Sequence, residues 1–196
     1  LDKLEKNTFT YFKEDEDLAK ENELPTSFDW RNVDGKNYDT AMRSQGRCGS
    51  CVAFASAAVL EMQMNIANMV PGLDYDFSEQ HLFTCGGRSC TTGWYASSGL
   101  AFIQSQGIPD EQCFQYTSGN MGENLQCTQT CPDSKERLVK FVSYKAVTTG
   151  NEDIELIKKA LAAGPLLTTM TVYEDFYAYI GGVYEHKTGS VVGGHA

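Results

Sequence analysis

Positive charge is scarce in this sequence: 16 Lys and Arg stand against 26 Asp and Glu, giving a formal net charge of -10 and a pI near 4.7. Such a surface repels phosphate backbones and anionic lipid, which argues against nucleic acid and membrane as partners. It also suits work at low pH, where carboxylates are partly neutralised. Long apolar runs are missing as well. Even Val52 to Val70 is broken by Ser56, Glu61, Gln63, Asn65 and Asn68, short of the roughly 18 residues of a membrane helix. No secretory signal opens the chain, as expected of a chain already processed, and there is no internal repeat or low-complexity tract. Histidine is sparse: His81, His186 and His195 are the three imidazoles available to any acid–base chemistry.

Cysteine, by contrast, is abundant. The 196 residues can bury a core without staples, as one large domain or two small lobes sharing a cleft. Seven cysteines (Cys48, Cys51, Cys85, Cys90, Cys113, Cys127, Cys131) are an odd number, which suggests three bridges and one thiol kept free in an oxidising compartment. A zinc site would have to join Cys48-x2-Cys51 to Cys127-x3-Cys131 across a spacing far beyond that of a finger, and would leave three cysteines unexplained. A thioredoxin-like couple at Cys48 and Cys51 would need a strand–helix–strand unit, yet the preceding "WRNVDGKNYDTAMRSQG" is turn-rich.

Three segments follow from the pattern. Residues 1–23 form a charged leader or prosegment remnant. Residues 24–132 read as a mainly helical lobe that opens at "LPTSFDWR". Its helices run from Cys51 to about Asn68 behind an N-cap Ser50, through "FSEQHLF" behind Ser78, and from Ala96 to Gln106 before Gly107. Residues 133–196 read as a strand-rich lobe, with strands expected in Arg137–Val147, Leu166–Tyr173 and Gly182–Ala196 and a helix in Glu152–Ala163. The fold class is therefore α+β, with a cleft between two unlike lobes.

A cysteine at a helix N-terminus feels the positive end of the backbone dipole, which favours thiolate over thiol. Cys51 has that position and Cys48 does not, so Cys51 is the candidate nucleophile. A thiolate needs an imidazole partner to protonate the leaving group. His81, on a short helix, reads as a satisfied packing residue, and His186, between Glu185 and Lys187, as a solvated turn side chain. His195 follows Gly193-Gly194, where a substrate backbone can approach, and is the candidate base.

The segment "SQGRCGSCVAF" resembles the nucleophile region of papain-like cysteine peptidases, a family whose C-G-S-C run is a standard example of a catalytic cysteine signature. "LPTSFDWR" is similar to a mature papain-like N-terminus, and Val172 to Ala196 resembles the cathepsin B histidine region, with features of cathepsin C around "QCFQYTSG". The likeness runs from Leu24 to Ala196, and Cys51 and His195 lie 144 positions apart, within the family's window of about 130–150. It implies a papain-like two-lobe fold with a barrel-like right lobe and a thiol endopeptidase using no metal or organic cofactor. Peptide or protein is the implied substrate, and the setting is a lysosomal or secreted, acidic compartment. Cys51 becomes the nucleophile, His195 its imidazolium partner and Gln45 an oxyanion donor beside the Cys51 N–H. Gly93 becomes the substrate wall, Tyr95 and Thr169 border a side-chain pocket, and Gly194 lies beside the histidine. The implied bridges are Cys48–Cys90, Cys85–Cys127 and Cys113–Cys131.

The departures are also instructive. Val52 stands where an aromatic residue is usual and is expected to loosen local packing, and Thr92 replaces a second glycine and is expected to crowd the wall. The family's asparagine and the strands around it have no counterpart before Ala196, so the C-terminal part of the right lobe is expected in a second chain or a further segment. No paired histidines occur between Cys90 and Cys131, which favours endopeptidase over carboxydipeptidase action. The alternatives are a catalytically silent scaffold serving as a binding subunit, and a zymogen with residues 1–23 across the cleft.

Overall fold

A computed structural model describes residues 8–9, 24–147 and 153–196. The expectation for the leader therefore lies outside the described residues, except for β1 (Thr8–Phe9). The longest helix among the described residues is α1 (Cys51–Ala67), free of Gly and Pro and rich in alanine. Ala53, Ala57, Leu60 and Met64 fall on one stripe and are at most 1% exposed. They pack against Phe77, against Leu82 and Phe83 of α2 (Glu79–Cys85), against Ile103 of α3 (Ala96–Ser105), and against Ile108. The helix also buries three polar side chains, Ser56, Glu61 and Asn65, and the last two each stitch a loop. Asn65 donates from Nδ2 to the Tyr38 and Leu73 carbonyls at 3.1 and 2.9 Å. Glu61 accepts from the Phe77 N–H and the Thr40 hydroxyl at 2.9 and 3.0 Å. These bonds return a protein partner to groups that have lost water, whereas Ser56 Oγ and Asn65 Oδ1 find none among the described residues.

Ser78 caps α2 through its hydroxyl, which accepts from the His81 N–H at 2.9 Å. Ser50 stands at the N-cap of α1, but its hydroxyl makes no bond to the helix and is turned to Tyr116 instead. A one-turn helix α4 (Ser118–Met121) follows in the loop that carries Tyr116.

The second part of the chain holds less strand than its pattern promised. In Arg137–Val147 only β2 (Lys140–Phe141) is a strand, parallel to β1. Its neighbours are paired at single points rather than in a ladder: Val139 forms an isolated antiparallel bridge with Ile108, and the Gln104 side chain of α3 donates to the Val142 carbonyl at 2.8 Å. The helix α5 (Ile154–Ala163) is capped by Asp153, which accepts from the Leu156 N–H. It ends at Gly164, where a Cβ would lie 2.6 Å from Gln63 Oε1 of α1. Strands expected over Leu166–Tyr173 and Gly182–Ala196 contract to β3 (Met170–Tyr173) and β4 (Val191–His195), an antiparallel pair with Met170 opposite His195 and Thr171 opposite Gly194.

Between β3 and β4 two neighbouring carboxylates order the chain, Glu174 through the Ser190 N–H at 3.0 Å and Asp175 through a larger set. Asp175 accepts from the Tyr184 hydroxyl at 2.5 Å and from the Lys187 and Thr188 N–H groups at 2.7 and 3.0 Å, with His186 Nδ1 at 3.1 Å. The Tyr184 bond is the largest of the influences that hold the Asp175 carboxyl well below the usual carboxylate range. His186 is exposed, as expected of a turn side chain, but it is also held: besides its bond to Asp175 it stacks on Tyr173 with ring centroids 3.6 Å apart.

An apolar cavity of about 390 Å³ opens between α1, α3, residues 141–147 and residues 165–168, with Val59, Leu100, Phe141, Tyr144, Ile157 and Leu166 in its lining. None of Gln45, Cys51 and His195 lines it. No helix among the described residues is long and apolar enough to cross a membrane.

Candidate active site

Three disulfides fix the described thiols: Cys48–Cys90, Cys85–Cys127 and Cys113–Cys131, with S–S distances of 2.07, 2.01 and 1.99 Å. Cys51 is the free one, partly exposed, as the first residue of α1. Cys48 and Cys51 therefore form neither a redox couple nor half of a zinc clamp. His81, Cys85 and Cys127 bring potential ligand atoms within 4.8 Å of one another, but the two sulfurs are bonded to each other and cannot act as thiolates.

The first N–H groups of a helix have no intrahelical acceptor, and the Cys51 N–H has no partner among the described residues. The Gln45 side chain folds back toward the same turn and donates from Nε2 to the Cys48 carbonyl at 2.8 Å. An amide nitrogen carries two protons, so one donor remains after that bond. Nucleophile, helix-terminal N–H and side-chain amide thus share one turn of chain.

The segment Cys90–Gly93 is fastened to the same turn. Besides the Cys48–Cys90 bridge, Gly49 donates its N–H to the Cys90 carbonyl at 2.9 Å, and a Cβ on Gly49 would sit 2.9 Å from that oxygen. Gly93 faces open space, and Tyr95 is 81% exposed. Thr92 does not turn its hydroxyl outward: that group bonds to the Ser89 hydroxyl at 3.1 Å and donates to the Ser89 carbonyl at 3.1 Å, closing a local turn. Val52 loosens nothing, being 3% exposed and so close to α3 that a Cβ on Gly99 would lie 2.8 Å from its Cγ1. Replacing both Cys48 and Cys90 by serine is expected to cost about 2–5 kcal/mol of stability. Differential scanning calorimetry would show this as a fall of roughly 5–15 °C in Tm.

His195, Gly194 and Thr169 lie at the other end of the chain. His195 is exposed on β4 and faces Met170 across the ladder, with Thr169 one residue before that partner. No hydrogen bond joins His195 to Cys51 among the described residues. His81 is buried against Phe102, with centroids 6.0 Å apart, and burial pushes its pKa down to about 4. It is a packing residue but not a satisfied one, since its Nδ1 finds no partner among the described residues.

Residues 24–196 match the family model described as papain family cysteine protease. The chain belongs to this family. As a papain-family chain it is 35% identical over 179 residues to "Cathepsin B-like CP3" of Giardia intestinalis, covering 89% of this chain and 58% of that protein. It is 28% identical to "Cathepsin B" of Dictyostelium discoideum, covering 88% of this chain and 59% of that protein. The chain thus spans less than two thirds of the length of these relatives. Among solved structures it is similar to proCathepsin B S9 from Trypanosoma congolense, with a TM-score of 0.73 and 26% identity over 95% of this chain and 64% of that one. It is also similar to a cysteine protease of Carica candamarcensis in complex with E-64, with a TM-score of 0.65 and 29% identity over 87% of this chain and 75% of that one. The fold is papain-like, with mixed helix and sheet content.

Proposed function

We propose that this chain carries the nucleophile and the base of a papain-like cysteine endopeptidase. The observation that supports the reading best is the turn before α1, where the free Cys51, its unpartnered N–H and the folded-back Gln45 amide converge. In this mechanism the Cys51 thiolate attacks a peptide carbonyl, and the oxyanion takes hydrogen bonds from Gln45 Nε2 and the Cys51 N–H. His195 protonates the leaving amine, and water then releases the acyl group from sulfur. Gly93 would pair with the substrate backbone, Tyr95 and Thr169 would border a side-chain pocket, and Gly194 would leave room beside His195. The substrate is peptide or protein, and no metal or organic cofactor takes part. A further segment or second chain would complete the right lobe and orient His195. Three disulfides and an acidic composition favour a lysosomal or secreted, acidic setting.

A thiol-directed epoxide or vinyl sulfone, applied to the full-length protein at acidic and neutral pH and followed by mass mapping, tests the reading. One adduct is expected, on Cys51, at a rate well above that of a free thiol. Labelling no faster than cysteine in solution would favour a catalytically silent scaffold with a binding role instead.

A further inference from the structure

Tyr116 lies within "QCFQYTSG", between Cys113 and α4, and has been given no role so far, yet it holds the turn that carries Gln45 and Cys51. Its hydroxyl donates to the Gln45 carbonyl at 2.9 Å and lies 2.6 Å from Ser50 Oγ. Ser50 Oγ also lies 3.5 Å from the Cys48 carbonyl, at the limit of a hydrogen bond; with the single phenol proton directed to Gln45, the Ser50 hydroxyl donates in the 2.6 Å bond. The result is a chain of O–H bonds from Ser50 through Tyr116 to Gln45. Gln45 is thereby held at both ends, by Tyr116 at its backbone carbonyl and by Cys48 at its side-chain amide.

The tyrosine is itself well fixed. Its ring meets Phe54 of α1 edge-on with centroids 4.7 Å apart, and its N–H donates to Glu111 Oε1 at 2.5 Å. Three residues on, the Gly119 carbonyl accepts the Arg47 N–H at 2.9 Å. It also lies 2.4 Å from where a Cβ of Gly46 would be, at a position whose φ of +58° already favours glycine. The loop 116–119 and the turn 45–47 are thus locked together without a covalent bond.

We propose that Tyr116 is a positioning residue for the oxyanion site, setting the distance between the Gln45 amide and the Cys51 N–H. The proposal rests on the peptidase reading above. Donors aimed at charge that develops only in the transition state are effective because they need no reorganisation, and a misplacement of under an ångström forfeits much of that effect. Removing the phenol oxygen leaves the ring packing intact but frees the Gln45 carbonyl and the Ser50 hydroxyl to move apart.

The test is Tyr116→Phe in the full-length protein, read by three reactions of Cys51. Peptide hydrolysis passes through an oxyanion, and kcat is expected to fall about 10- to 100-fold with KM unchanged, less than the roughly 100- to 1000-fold typical of deleting the donor itself. A peptide aldehyde adds the Cys51 sulfur to its carbonyl carbon and forms a hemithioacetal oxygen at the same site, so its affinity is expected to fall by the same factor. Iodoacetamide alkylates sulfur by displacing iodide from a saturated carbon, with no oxyanion, and its rate is expected to stay within twofold. Ser50→Ala keeps the Tyr116–Gln45 bond and should show the same pattern more weakly; in Gln45→Ala, adding Tyr116→Phe should change little.

Wild-type kcat and aldehyde affinity in Tyr116→Phe would overturn the proposal. So would a parallel loss of all three reactions, which marks a general structural role. If the unmutated protein neither hydrolyses peptides nor binds the aldehyde, the peptidase reading falls and takes this proposal with it.

Discussion

Cys51→Ala is expected to lower peptide hydrolysis by a factor on the order of 10⁴ to 10⁶, with substrate binding retained. The size follows from what the side chain does in the proposed mechanism. Without sulfur there is no acyl intermediate, and the remaining hydrogen-bond donors accelerate only attack by water. His195→Ala is expected to cost a similar factor, and the double variant little more than either single one, because nucleophile and base act as a unit. Steady-state kinetics on one fluorogenic peptide series, with Cys51→Ala, His195→Ala and the pair, would check this. Full additivity, or a loss below tenfold at either position, would remove that residue from the chemistry.

The second large effect concerns acid. Glu61 and Glu79 are each 2% exposed, and burial raises their pKa values to about 7 and about 8; Glu111, partly buried, is raised to about 7. Asp76 adds repulsion to all three, while Arg43, which pairs with Asp74 and Asp76, offsets it at Glu61 and Glu111. A carboxyl with a folded pKa above its unfolded value near 4.5 binds its proton more tightly when folded. Its stabilising contribution is complete below about pH 4.5 and is lost as pH rises through 7 to 8. A single buried group of this kind accounts for roughly 3 kcal/mol. Thermal melts are therefore expected to show a Tm higher at pH 5 than at pH 8 by about 10 °C or more. Glu61→Gln keeps an oxygen for the Phe77 N–H and can donate to Thr40 Oγ1, so it should be nearly neutral at pH 5 and stabilising at pH 8. A Tm that does not vary between these pH values would show that the three carboxyls are solvated in the native state.

The helical half of this molecule was legible because its signals are local. Ser78 caps α2, Gly107 ends α3, and the apolar stripe of Ala53, Ala57, Leu60 and Met64 needs a buried helix wherever it occurs. The strands were overread because alternation says which residues face inward and not where the backbone finds its partners. Around β2 those partners are Ile108, which pairs with Val139, and the Gln104 side chain, which donates to the Val142 carbonyl, and before β4 the Lys187 and Thr188 N–H groups go to a side chain instead of a ladder. At the candidate site, Cys51 was visible from its place at a helix N-terminus and Gln45 through family likeness, whereas Tyr116 was not. Nothing in "QCFQYTSG" tells that a phenol 71 positions from Gln45 closes on its carbonyl; only the folded chain brings them together.

Asp175 complements the buried glutamates in the opposite sense. Its folded pKa lies below the ordinary value, so the stability it contributes is present above about pH 4 and is lost only as pH falls through that lower value. The glutamates, in contrast, favour the molecule as protons become plentiful. Two populations of carboxyl therefore bound a working interval from opposite sides, one keeping the approach to β4 shaped in mild acid, the other relieving the core there. A mildly acidic medium sits inside that interval and neutral pH at its upper edge, so a move from the one to the other would by itself weaken the fold.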